Sequence, residues 1–208
     1  MSFMPLAALA LIASLAGAGA PWLPRVAQAL QDSPGWKIDL LWTTKPAEGS
    51  LARPRTTSGE LRLALDNRFR FAAEGVQVLS DGSTVWQYAA SSGQVLVQSV
   101  DKLDPTMLPG SLLGQALAGS EVSSTQEMLS GRKAIRLELA VGKGALARFA
   151  RATLWVDPSD LRPRRLSVAD AQGTETIWDL RGWKRWSPKS GDFLWKAPTG
   201  SETVDLRD

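Results

Sequence analysis

The stretch VQVLSDGSTVWQYAASSGQVLVQSV, residues 76–100, decides the fold. It holds three apolar-rich runs, Val76–Leu79, Thr84–Tyr88 and Gln94–Val100, separated by Asp81-Gly82 and by Ser91-Ser92-Gly93. Asp-Gly between strand-like runs is a strong hairpin signal, because glycine takes the positive φ that tight turns between twisted strands require. Three strands in twenty-five residues leave no room for crossover helices, so this part of the chain is an antiparallel meander.

The same period of two runs outward in both directions. In WKIDLLWT, Trp36, Ile38, Leu40 and Trp42 share one face, with Lys37 and Asp39 on the other. A polar loop over Thr44–Ser58 precedes GELRLAL, where Leu61 and Leu63 point one way, and RFRF, where Phe69 and Phe71 do. In the next strand Val76 and Val78 are the inward pair. Further on, EVSSTQEML, KAIRLELAV, ATLWVDP, RRLSVAD and TETIWDLRGW are strands, with a last short one near Phe193–Lys196. They add Leu137, Leu139, Leu154 and Val156 to the apolar face and leave Trp155 outside. The face of Trp86 and Tyr88 stays open, because Val85 competes with them. The expected architecture is mainly antiparallel β: an incomplete, half-open β-barrel of about ten to eleven strands.

The pattern breaks at 103–119, LDPTMLPGSLLGQALAG. Met107, Leu108, Leu112, Leu113 and Leu117 suit short α-helices hinged at Pro109-Gly110. That insert is too apolar to stand in water, so it is expected to cover the concave apolar face. Arg25–Gln31 is a further short amphipathic stretch. Residues 21–208 then form a single domain with a lid over 103–119.

The first twenty residues read as an export leader. Leu6–Leu15 is an apolar run too short to span a bilayer, and Ala16-Gly17-Ala18 and Ala18-Gly19-Ala20 offer cleavage sites. The expected protein is therefore periplasmic, with a signal peptide over 1–20 cleaved near 18–20.

Composition excludes much of enzyme chemistry. The 208 residues include no histidine and no cysteine, with 24 Lys+Arg against 21 Asp+Glu. There can be no Ser-His-Asp or Cys-His system, no thiolate chemistry and no histidine metal site. No metal, cofactor or catalytic residue is expected. A net charge of +3, with bases and acids interleaved, gives no nucleic-acid footprint. Arg162, Arg164 and Arg165, the tightest basic cluster, read as a solvated rim. From periodicity alone, inward aromatics are more often packed core than ligand wall.

The order of the pieces resembles the periplasmic outer-membrane lipoprotein carrier proteins, the LolA family. The resemblance rests on SDGSTVWQYAASSGQVLVQ (Ser80–Gln98), GELRLALDNRFRF (Gly59–Phe71), LWVDPSDLRPRRLSVADAQG (Leu154–Gly173) and FLWKAPTGSETVD (Phe193–Asp205), in that family's order along most of the chain. It implies a carrier, without enzymatic activity, that shields lipoprotein acyl chains and transfers them from the inner to the outer membrane. Its implied partners are acylated lipoproteins, an inner-membrane ABC transporter that releases them, and a lipid-anchored receptor at the outer membrane, the carrier itself being a monomer. Ile38, Leu40, Trp42, Leu61, Leu63, Phe69, Phe71, Val76, Val78, Leu137, Leu139, Leu154 and Val156 become the cavity wall under that reading, with Met107, Leu108, Leu112, Leu113 and Leu117 as lid. One departure is Leu65-Asp66, where the family commonly carries an Arg-Pro that ties barrel to lid; Leu65→Arg is expected to speed cargo release. The alternatives are a carrier or sensor of other lipids or glycolipids acting through a protein partner, and a hydrolase if two carboxylates converged in the cavity.

Overall fold

The computed structural model describes residues 21–64, 68–102, 113–114, 116–142 and 146–207. Twelve strands form one sheet in the order β12-β6-β5-β4-β3-β2-β1-β11-β10-β9-β8-β7. The strands are β1 (Gly35–Lys45), β2 (Arg55–Ala64), β3 (Arg68–Ala73), β4 (Val76–Asp81), β5 (Thr84–Ala89), β6 (Gln94–Ser99), β7 (Glu121–Leu129), β8 (Arg132–Leu139), β9 (Arg151–Val156), β10 (Pro163–Ala169), β11 (Glu175–Arg185) and β12 (Glu202–Asp205). Every pairing is antiparallel except β12 on β6, and β7 and β12 are the two edges, so the barrel does not close. The long-range join is β1 on β11, with Leu40 opposite Leu180 and Trp42 opposite Trp178. There β11 bulges at Gly182, whose φ of +59° is left-handed and whose missing Cβ leaves room for the Asp39 carboxylate.

Registers align the inward residues in rows across the strands. One row runs Ile38, Leu61, Phe71, Val78, Gln87, Leu96 across β1 to β6. On the other limb Leu137, Leu154, Leu166 and Trp178 line up across β8 to β11. The helix α1 (Trp22–Gln31) lays Leu23 and Val26 into this concave face. Residues 113–114 and 116–117 are helical, and Leu113 and Ala116 are buried against the same core, with Leu117 at its margin. Leu146 and Phe149 complete that packing.

Three elements differ from the sequence expectation. The sheet has twelve strands and not ten to eleven, and its last is β12 at Glu202–Asp205, the segment near Phe193–Lys196 not being a strand. Phe193 is instead a buried turn residue on the convex side, where Trp186 meets it edge-on at 5.8 Å and Arg68 lies over its ring. The polar loop is also shorter: β1 runs on to Lys45 and β2 starts at Arg55. Finally α1 starts at Trp22, earlier than the amphipathic pattern shows, with Pro24 in its first turn where the missing N–H costs nothing. The leader over 1–20, Leu65-Asp66, Met107, Leu108, Leu112 and the Pro109-Gly110 hinge lie outside the described residues.

Candidate functional site

The concave face has two halves. At the start of β1, α1 and its neighbours fill it. Ile38, Leu40, Leu61, Phe69, Leu137, Leu139, Leu154 and Val156 are all buried in that filled core, and Leu63 packs at its margin. At the other end of β1 no described residue covers the sheet, and a cavity of ≈ 440 Å³ opens over β1 to β6. Trp42, Phe71, Val76 and Val78 line it, so the structure brings four of the thirteen expected wall residues together there.

The cavity exists because the inward side chains at that level are short. The row from Leu40 continues through Gly59, Ala73, Val76 and Ala89, a run of small groups beside the large ones of the next row. A Cβ on Gly59 would run into the Ala72 carbonyl oxygen and the Phe71 ring, so this position accepts only glycine without a shift of β3. The sequence reading missed Thr44, Arg55, Thr57, Gln87, Ala89, Gln94 and Leu96 as lining residues. Continuing the alternation from Leu61 and Leu63 backward through Gly59 would have found two of these positions, Thr57 and Arg55.

Trp42 closes the floor toward the filled half. Its ring centroid stands 6.2 Å from that of Phe71 and 6.0 Å from that of Trp178. The indole N–H groups of both Trp42 and Trp178 are buried and have no acceptor among the described residues. No carboxylate is among the described residues that line the cavity, so the convergent acid pair a hydrolase would need is not formed there.

The filled half is held shut by contacts at both ends of α1. The Trp22 N–H donates to Glu121 Oε2 at 2.8 Å, tying the start of α1 to the edge strand β7. At its end, Trp36 Nε1 donates to the Leu30 carbonyl at 2.8 Å and Arg162 Nη1 to the Ala29 carbonyl at 3.2 Å. These are orphan carbonyls of the last helical turn, the groups a cation satisfies best. Burial pulls the Arg162 guanidinium below its ordinary value, without bringing its deprotonation into any working pH. Arg164 pairs with Asp157 and Asp160, and Arg165 with Asp179, so the three arginines read as a solvated rim are all engaged.

On the convex face, Trp86 stacks on Trp195 with centroids 6.4 Å apart and planes within 5°. Val85 therefore takes the inner face, where it is fully buried. Leu79, Val95 and Val97 are buried on the convex side. They sit in the rows of Trp86 and Tyr88, beneath the segment that ends in β12.

An open, mainly antiparallel sheet with an apolar cavity on its concave face, beside a helix packed into the rest of it, defines the half-open barrel class of fold. Residues 44–193 match the model of the outer membrane lipoprotein carrier protein LolA family, and the chain belongs to that family of carriers. It is 26% identical over 211 residues to an outer-membrane lipoprotein carrier protein of Bordetella bronchiseptica, covering 96% of each chain. Among solved structures it resembles an uncharacterised conserved protein of Thermus thermophilus, with a TM-score of 0.57 at 14% identity over 88% of this chain and 98% of that one. It also resembles the lipoprotein LppX of Mycobacterium tuberculosis, with a TM-score of 0.50 at 13% identity over 80% and 95%. At such identities these two likenesses concern the fold.

Proposed function

We propose that this protein is a periplasmic carrier that takes acylated lipoproteins released by an inner-membrane ABC transporter, shields their acyl chains, and delivers them to a lipid-anchored receptor at the outer membrane. The observation that carries the reading is the open apolar cavity walled by Trp42, Phe71, Val76 and Val78 in a chain of the LolA family. The physical need is large. Each exposed methylene costs roughly 0.8 kcal/mol, so one chain of about sixteen carbons costs on the order of 12 kcal/mol in water. The remaining wall residues, Ile38, Leu40, Leu61, Leu63, Phe69, Leu137, Leu139, Leu154 and Val156, join the site only when α1 and the residues Leu113, Ala116 and Leu117 withdraw. The cover then serves two ends: it hides apolar surface when the carrier is empty and enlarges the site when cargo arrives.

The test is release from membranes. Purified protein is added to spheroplasts that display a labelled lipoprotein, with a non-acylated version as control. A soluble one-to-one complex that forms only with the acylated form supports the proposal. Release independent of acylation, or none at all, overturns it.

A further inference from the structure

We propose that the cavity, with α1 in place, binds a single-chain amphiphile with an anionic head, the chain against Trp42, Phe71 and Val78 and the head at Arg55. This inference rests on the cavity being ligand space, as proposed above, and adds the chemistry of the occupant.

Size comes first. A cavity of roughly 150 Å³ holds one benzene ring, so ≈ 440 Å³ corresponds to about three rings, or on the order of eighteen carbons. That is one acyl chain, not the two or three that a lipoprotein carries.

Charge comes second. Arg55 is the Cα partner of Thr44, and Thr44, Trp42 and Leu40 alternate on the inner face of β1. Arg55 therefore continues the inward series Leu61, Gly59, Thr57 on β2, and it stands at the mouth of the cavity. Across the sheet at that end, Lys45 pairs with Glu175 at 3.3 Å and Arg151 approaches the same carboxylate at 4.0 Å. Arg55 has no acceptor among the described residues, and no carboxylate lines the cavity with it. The inner face thus grades from apolar at Phe71, through the hydroxyls of Thr57 and Thr44, to an unmatched guanidinium. That gradient is the complement of a chain ending in an anion. A carboxylate or a phosphate diester suits the fork of donors equally well, so both a free fatty acid and a lysophospholipid satisfy it.

The experiment titrates the purified protein with four ligands of equal chain length below their micelle concentrations, read by tryptophan fluorescence and calorimetry. Two are anionic, hexadecanoate and hexadecanoyl-lysophosphatidylglycerol; two are neutral, hexadecanol and monohexadecanoylglycerol. At least one anionic ligand is expected to bind about fivefold or more tightly than the neutral pair, with the gap narrowing at high salt. Which anion shows the gap identifies the head as carboxylate or phosphate. Arg55→Gln is expected to erase the gap, while Arg132→Gln, exposed at the start of β8, keeps it. Equal binding of all four, or a gap that survives Arg55→Gln, overturns the inference and leaves the carrier reading intact. If none of the four binds while an acylated lipoprotein does, the single-chain occupant is wrong. If the lipoprotein fails as well, the carrier reading falls with it.

Discussion

The guanidinium of Arg162 lies flat over Trp36, its central carbon 3.7 Å from the ring centroid, while Nη1 reaches the Ala29 carbonyl. The indole of Trp36 in turn donates to the next carbonyl, that of Leu30. Two side chains stacked on each other thus satisfy two successive carbonyls at the end of the helix that fills half the concave face. A half-buried cation–π contact of this kind contributes about 1 kcal/mol, and a hydrogen bond from a charged donor about 1.5 kcal/mol. Arg162→Ala is expected to destabilise the fold by about 1–3 kcal/mol and, more tellingly, to raise amide exchange in α1 well above that in β9 to β11. Arg162→Lys should recover little, since an ammonium cannot stack and donate sideways at once. Uniform exchange throughout the chain in Arg162→Ala would show that α1 is not held there.

The buried tryptophans differ in how well their N–H groups are served. Trp36 has an acceptor; Trp178, 1% exposed, has none among the described residues. Replacing either by phenylalanine removes similar volume. At Trp178 it also removes an unsatisfied buried donor, which offsets about 1–3 kcal/mol, whereas at Trp36 it orphans the Leu30 carbonyl. Trp178→Phe should stay within about 1 kcal/mol of the parent in urea denaturation, and Trp36→Phe should cost at least about 1 kcal/mol more. Equal losses would mean that Trp178 finds an acceptor after all.

Alternation made most strands readable because each inward set is made of large apolar residues, as in Ile38–Leu40–Trp42 or Leu137–Leu139. The cavity was less readable for the opposite reason: it is made where inward residues are small or polar. Arg55 and Thr57 read as loop by composition, yet the register places them, like Gly59, inside the sheet opposite β1. What the apolar set marked was chiefly the half that the protein fills with its own helix. Phe193 misled differently, since an aromatic anchor on the convex side has the same local pattern as a strand residue. The C-terminal strand Glu202–Asp205 is short and mostly exposed, and its pairing with β6 comes from tertiary placement.

Stability should be flat from about pH 5 to 8, because the chain has neither histidine nor cysteine to titrate there. It should fall in acid. Burial raises the Asp157 carboxyl, but the Ser159 hydroxyl and N–H and the Arg164 guanidinium outweigh it and hold the group below its ordinary 3.8. For Glu175, burial is likewise outweighed, by the Ser167 hydroxyl, Lys45 and Arg151, which hold it below 4.5. A carboxyl depressed in the folded state stabilises above its unfolded value, and that stability is lost as pH falls through the folded one. The decline should begin near pH 4.5 and deepen below 3.8. Asp157→Asn should make the acid limb shallower while lowering stability at pH 7; an unchanged limb would assign the acid sensitivity elsewhere.

Filling the cavity separates its role in binding from any role in folding. Ala89 faces the open space among Val76, Gln94 and Leu96, where added carbon meets ligand volume and not packed core. Ala89→Phe should occupy a large part of the ≈ 440 Å³ and bury apolar area that is now wet. Its stability should be equal to or up to about 1 kcal/mol above the parent, in contrast to the loss that overpacking a filled core brings. Ligand should be excluded: acyl-dependent release of lipoprotein and binding of any sixteen-carbon chain should both drop at least tenfold. Gly59→Ala would be a poor probe of the same point, because its Cβ strikes the β3 backbone and confuses lost binding with lost fold. Full binding by a stably folded Ala89→Phe would move the ligand out of this cavity and under α1.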